Sequence, residues 1–219
     1  MSQLVFKFPF KTKYYEQDYY VSTNNFSTYR LIESWPNWPN KWLNIFGPTG
    51  CGKTHLSNIL KKKISLTQIL EAKNIDDEKI LKFEKLDCLI IDNYENNIDE
   101  ELFYSILNQS KQVNSYVVVN SIFPIKDNNF KLIDLKSRAE SFVSLGIELP
   151  TDELLRVIIT KFFSDKQMEI SPNISEYIIK NIERSYEKVF KVIKEIDDLS
   201  LSSGKSININ LIKKVLINE

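Results

Sequence analysis

Cysteine is nearly absent, with two in 219 residues at positions 51 and 88: no disulfide framework and no metal cluster. Net charge is also missing, because 29 Lys and Arg offset 29 Asp and Glu. No basic field therefore points to bulk DNA binding, and any nucleic-acid connection is expected through another protein. The sequence has no 18-residue apolar span and no secretory leader, so a cytoplasmic protein without a membrane partner is expected. Disorder is excluded by an apolar share of 42%, which at this length supports one large domain, or a domain and a small second one. Glycine is scarce at five residues, yet three of them crowd into positions 47–52.

That crowded stretch, Gly47-Pro48-Thr49-Gly50-Cys51-Gly52-Lys53-Thr54, meets the full G-x-x-x-x-G-K-[ST] pattern of a phosphate-binding loop. It follows the apolar run Trp42 to Phe46 and opens a helix expected over His55 to Lys63, the strand, loop and helix context that the motif requires. Glycines let the backbone turn tightly, so that N–H groups and the helix N-terminus converge on an anion. Lys53 is placed to neutralise the outer phosphates, and the Thr54 hydroxyl to hold Mg²⁺. Asp92 ends the apolar strand Leu89-Ile90-Ile91, where ligands gather in an open parallel sheet, and its carboxylate is the second candidate Mg²⁺ ligand. The next residue is Asn93, an amide that cannot serve as a general base, and Glu95 is the nearest acid that could replace it.

Strand-like and helix-like segments alternate after the loop, as a parallel sheet with crossover helices demands. Strands are expected at Leu66 to Leu70, Leu86 to Ile91, Tyr116 to Val119 and Gly146 to Leu149, and helices at Asp99 to Gln109 and Phe130 to Ser141. Thr151 caps a further helix with Glu153 in its first turn. Beyond Phe163 only helices follow, over Pro172 to Ile182, Arg184 to Leu199 and Asn208 to Ile217. The expected architecture is an α/β domain, residues 13–163, with a parallel sheet flanked by helices, followed by a small helical lid, residues 164–219. Ahead of both, Gln3, Leu4, Phe6 and Phe8 form a glutamine-led apolar segment suited to docking as an extended peptide; an edge strand on the chain's own core is the other reading.

Together the phosphate loop with His55-Leu56, the segment Leu89 to Glu95, the box Leu135-Lys136-Ser137-Arg138 and Arg184 resemble the DnaA-like AAA+ family, and most closely its short Hda branch, the regulatory inactivators of DnaA. The resemblance spans nearly the whole chain and implies ADP or ATP as the nucleotide. It implies a polar sensor of the γ-phosphate at Asn120 or Ser121, just beyond the fourth strand, and an arginine finger at Arg138 that reaches a neighbouring subunit's nucleotide. Arg184, in a C-terminal helix, corresponds to the second sensor, and Asp18, Tyr20 and Val21 to the adenine wall. Residues 1–12 correspond to the peptide that binds the DNA polymerase III sliding clamp (beta subunit). For Arg138 a surface ion pair with Glu140 is the plain alternative, and for Arg184 the solvation of a helix start.

The function implied is regulation of chromosomal replication initiation. The chain would bind nucleotide and clamp, and use Arg138 to stimulate hydrolysis of ATP held by DnaA, with weak hydrolysis of its own. Self-association is open. Because the sequence ends soon after the lid, no helix-turn-helix module and no sequence-specific DNA binding are expected. The alternatives are an autonomous ATPase that remodels a replication complex and a non-hydrolytic adaptor that recruits DnaA to DNA. A departure from the Hda pattern is the intact Lys53-Thr54 pair, which leaves the choice between ADP and ATP open.

Overall fold

The computed structural model describes residues 14–76 and 85–217; the peptide containing Gln3, Leu4, Phe6 and Phe8 lies outside the described residues. Residues Tyr14–Glu148 form one compact unit, and the helices after it belong to a second. In the first unit the order is α1 (Phe26–Glu33), β1 (Trp42–Phe46), α2 (Lys53–Lys63), β2 (Thr67–Glu71), β3 (Cys88–Tyr94), α3 (Glu100–Gln112), β4 (Tyr116–Ser121), α4 (Ile133–Glu140) and β5 (Val143–Gly146). The strands form a parallel sheet in the order β2-β3-β4-β1-β5. Both faces of the central strands are covered, so β1, β3 and β4 read as nearly unbroken buried runs rather than alternating ones.

One core of this unit packs Trp42, Leu89, Ile91, Val117 and Val119 of the sheet against Phe103, Ile106 and Leu107 of α3. Helix α3 starts where expected because the Asp99 carboxylate accepts from the N–H groups of Glu101 and Leu102, at 3.0 and 3.1 Å. Helix α4 starts later than the sequence pattern suggests, at Ile133 instead of Phe130. The reason is that the Glu100 carboxylate captures the Lys131 and Leu132 N–H groups, at 3.1 and 2.8 Å, and holds that stretch as a loop. Strand β5 also differs: it covers Val143–Gly146, paired to β1 from Leu43 to Phe46, and has ended where the expected strand begins.

The second unit contains α5 (Asp152–Ser164), α6 (Pro172–Asn181), α7 (Tyr186–Ser203) and α8 (Ile209–Ile217). Thr151 caps α5 as expected, its hydroxyl accepting from Leu154 N–H at 3.2 Å. The boundary between units falls after Glu148, ahead of the sequence-based limit at Phe163, because Leu155, Ile159 and Phe163 of α5 are core residues of the helical unit. They pack there with Ile178, Val189, Ile193 and Ile212. Among the described residues, no helix is long and apolar enough to cross a membrane.

Candidate functional site

Between β1 and α2 the chain turns through Gly47–Gly52, and two of its glycines are structurally required. Gly47 has φ +154°, and a Cβ there would stand 2.6 Å from the Ile147 carbonyl oxygen. Gly52 has φ +100°, and a Cβ would meet the Tyr19 ring at 3.0 Å. Any side chain at either position strains the backbone and displaces a neighbour. Lys53 opens α2 and is nearly buried; its Nζ donates to the carbonyls of Gly47 and Pro48, at 2.7 and 3.0 Å. The ammonium thus sits within the loop, beside the surface that the loop's N–H groups present to an anion.

One turn of α2 presents Thr54, whose hydroxyl donates to Asp92 Oδ2 at 2.7 Å. Asp92 is inside β3 rather than at its end, because the strand continues to Tyr94 past a register shift between Ile91 and Tyr94. Its other oxygen accepts from Asn120 Nδ2 at 2.9 Å and from the Asn93 N–H at 3.1 Å. Asn120 also donates to Ser57 Oγ of α2 at 2.7 Å. Four side chains from α2, β3 and β4 are therefore tied into one polar network beneath the phosphate loop. Asn120 Oδ1 is buried and has no hydrogen-bond partner among the described residues. An unmet buried acceptor costs about 1–3 kcal/mol, so this atom is a ready partner for a water or ligand donor.

The two candidate sensors lie within β4 rather than beyond it, and they face different partners. Asn120 meets Asp92, whereas the Ser121 hydroxyl accepts from Asn44 Nδ2 at 2.8 Å and donates to the Phe123 carbonyl at 2.6 Å. Asn44 was not singled out from the sequence, yet it is fully buried, and its Oδ1 accepts from the Ile125 N–H at 3.0 Å. It ties β1 to the segment after β4. Asn93 is exposed at φ +55°, and Glu95 is exposed as well. Asn93 joins the network through its backbone N–H alone, and among the described residues no hydrogen bond ties the Glu95 side chain to it.

Within the aromatic segment expected to wall the adenine, Tyr19 is the residue whose ring lies against the loop glycine Gly52. Tyr19 stacks on Tyr29 with centroids 5.7 Å apart and meets the His55 ring edge-on at 5.3 Å. His55 Nε2 is 2.7 Å from the Tyr15 carbonyl, which ties the aromatic segment to α2. Tyr20 is exposed, with its carbonyl bound by Asn25 Nδ2 at 2.9 Å; Val21 is half-buried and Asp18 ends a short 3-10 turn. The sequence signal that would have found Tyr19 is an aromatic side chain opposite a loop glycine, which is visible only once the turn is built.

Arg138 is on α4 and half-buried. Its guanidinium carbon lies 5.5 Å from the Trp42 ring centroid and 5.7 Å from that of Tyr104. Among the described residues it pairs with no carboxylate, so the expected alternative of an ion pair with Glu140 does not occur. A cavity of about 280 Å³ opens beside it, bordered also by Lys41 and Lys111 and by no acidic residue. Arg184 differs from expectation: it precedes α7 instead of lying in a helix, and its Nη2 donates to Asp152 Oδ2 at 2.9 Å. That pair is exposed on both sides.

Burial pushes the thiols of Cys51 and Cys88 up from their ordinary range; for Cys51 the nearby Lys53 ammonium opposes the shift without overcoming it. A raised thiol pKa leaves less thiolate at a given pH, and the thiolate is the nucleophile. Neither cysteine of the native protein should react with iodoacetamide within minutes at pH 8, whereas both should react after unfolding in guanidinium. Intact-mass analysis reads the difference. Rapid single labelling of the native chain would show that the phosphate loop opens its thiol to solvent.

Residues 152–216 match the family of the Hda lid domain. Over 216 residues the sequence is 24% identical to the chromosomal replication initiator protein DnaA of Buchnera aphidicola subsp. Cinara cedri, covering 87% of this chain and 48% of that protein. The chain spans about half or less of the length of the curated relatives it matches. The fold is that of domain III of the Thermotoga maritima replication initiation protein DnaA, with a TM-score of 0.75 at 18% identity over 96% of this chain and 98% of the other. AMPPCP-bound DnaA from Aquifex aeolicus aligns with a TM-score of 0.68 at 20% identity over 87% of this chain and 67% of that one. The helical unit thus matches the lid domain of the Hda family, and it follows a phosphate-loop sheet with the fold of DnaA domain III.

Proposed function

We propose that this protein binds ADP or ATP at Gly47–Thr54 and regulates replication initiation by completing the active site of an ATP-bound DnaA molecule with Arg138. The observation that carries the reading is the position of Arg138. It packs on Trp42, the first residue of β1, whereas the phosphate loop follows Phe46, the last. A five-residue strand rises roughly 13 Å between those ends, so Arg138 packs at the end of β1 remote from its own phosphate loop, which supports a role in another molecule's site. An arginine finger supplied in trans stabilises charge on the transferring phosphoryl group and contributes about 10³ to 10⁵ in rate.

The residues present fit Mg²⁺, which would be held by one hydroxyl and one carboxylate here, leaving water and phosphate oxygens to supply the remaining ligands. Thr54 and Asp92 are the two protein groups, at hydrogen-bond distance from each other. When bound, the ion supplies neutralisation of the phosphate charge. Asn120 keeps Asp92 oriented; its Nδ2 donors go to Ser57 and Asp92, so its unmet Oδ1 would sense the γ-phosphate only through a water that donates to it. For Arg184 to act as the second sensor it must exchange Asp152 for a phosphate oxygen, and an exposed ion pair of about 0–1 kcal/mol makes that exchange easy.

Hydrolysis by this chain alone should be slow, since among the described residues the one carboxylate in the network is Asp92, which is engaged by Thr54 and Asn120, and Asn93 stands where an acid would act as general base, a group that contributes about 10² to 10⁴. A single-turnover assay of this chain, of DnaA, and of both with a DNA-loaded sliding clamp tests the reading. Fast phosphate release is expected only in the complete mixture; brisk turnover by this chain alone favours an autonomous ATPase, and assembly without acceleration favours an adaptor.

The clamp contact is proposed for Gln3, Leu4, Phe6 and Phe8. Replacing the first three with Ala should abolish clamp association while moving the melting temperature little, because anchors for a partner's groove need not belong to the core. Surface plasmon resonance and a thermal melt separate the two effects. A large loss of melting temperature would instead assign the segment to the chain's own fold.

A further inference from the structure

Arg138 is held by two aromatic rings and by nothing else that the described residues offer. That choice of partner matters chemically. A carboxylate would occupy the guanidinium's in-plane N–H donors and cancel its charge, whereas a ring attracts the cation and leaves those donors unspent. The rings themselves are fixed. Trp42 is nearly buried, its indole N–H donates to Ser110 Oγ at 2.9 Å, and Ser110 in turn donates to the Leu107 carbonyl at 2.7 Å. Phe142 backs Trp42 with ring centroids 5.6 Å apart. Tyr104 stands on α3, the helix that also carries Ser110, so one rigid element sets the second ring and anchors the first.

We propose that Trp42 and Tyr104 are positioning residues for Arg138: they preorganise its guanidinium as an uncommitted fork, ready for a phosphoryl group entering from a second nucleotide-bound subunit. The proposal rests on the trans-acting role of Arg138 given above. Among the described residues that border the neighbouring cavity, Lys41 and Lys111 are basic and none is acidic, so no carboxylate there competes for the fork. Without the cradle the arginine would sample many rotamers, and misplacing a reacting group by about 1 Å can cost ~10²-fold in rate.

The test uses the full-length protein with ATP-bound DnaA and a DNA-loaded clamp. Tyr104 is only half-buried, so its substitution threatens the fold less than that of Trp42. Tyr104→Leu should lower the maximal stimulated hydrolysis rate by about 10-fold and leave the half-saturating concentration unchanged. Tyr104→Phe, which keeps the ring and loses the hydroxyl, should restore the rate. In an Arg138→Ala background Tyr104→Leu should change nothing further, because the ring acts through the arginine. A purely structural role would instead lower the melting temperature, or make the double variant worse than Arg138→Ala. A dead Arg138→Ala beside a fully active Tyr104→Leu overturns the cradle and leaves the trans arginine standing. Full activity of Arg138→Ala in an assembled complex overturns the trans reading, and the cradle's catalytic purpose with it.

Discussion

Replacing Lys53 with Ala is expected to weaken nucleotide binding by about 100-fold, as measured by calorimetry. The ammonium lies within the phosphate loop, donating to the Gly47 and Pro48 carbonyls, and needs only to redirect its donors to reach the outer phosphates. A hydrogen bond to a charged group contributes about 1.5–3 kcal/mol, which corresponds to roughly 10- to 100-fold in affinity. The upper end applies because the site is enclosed, with Lys53 only 9% exposed. Asp92→Asn makes the informative contrast. It should leave Mg²⁺-free binding nearly intact and remove most of the gain that Mg²⁺ provides, because the change spares the loop and alters the carboxylate that meets Thr54. Unchanged affinity in Lys53→Ala would show that the loop is a structural turn and not a phosphate site.

Much of this site is legible in the sequence because its chemistry is local. The loop glycines, Lys53 and Thr54 fall within eight consecutive positions, and a phosphate cradle made of backbone N–H groups requires that compactness. Asp92 is legible because an acid after an apolar strand has few other reasons to be there. The choice between Asn120 and Ser121 is not, since successive strand residues face opposite sides, and β4 is buried on both. Only the sheet order, which sets β4 between β3 and β1, decides that Asn120 meets Asp92 and Ser121 meets Asn44. The bounds of β5 are hidden for a related reason: Val143 to Leu149 alternates apolar residues with Ser144, Gly146 and Glu148, so the pattern runs on past the strand's end. Its pairing to β1 marks that end, with Gly146 packed so closely on Phe46 that a Cβ would stand 2.8 Å from the ring. Long-range partners were the least visible. The ring of Trp42 beneath Arg138 and the carboxylate of Asp152 beside Arg184 come from distant positions that no spacing connects.

Arg138→Ala is expected to remove the stimulation of DnaA-bound ATP hydrolysis, a fall of about 10³-fold or more in the stimulated component. This chain's own nucleotide affinity should be unchanged, because the residue packs at the end of β1 opposite the phosphate loop. Stability should change by only about 1 kcal/mol, the scale of an exposed or half-exposed cation on a ring. Arg138→Lys sharpens the argument. An ammonium keeps the charge but presents no planar fork, so it should restore only a small part of the rate if directed hydrogen bonds to phosphoryl oxygens carry the effect. Arg184→Ala should behave in the opposite way: nucleotide retention by this chain should fall while stimulation at matched occupancy survives, since a lid sensor touches the ligand of its own subunit. Assembly must be followed in the same reaction by clamp-dependent co-sedimentation, which separates lost catalysis from lost contact. If Arg138→Ala assembles and still stimulates fully, the guanidinium is not the group that enters the partner's site. Acceleration must then come from a conformational change in DnaA that binding alone induces.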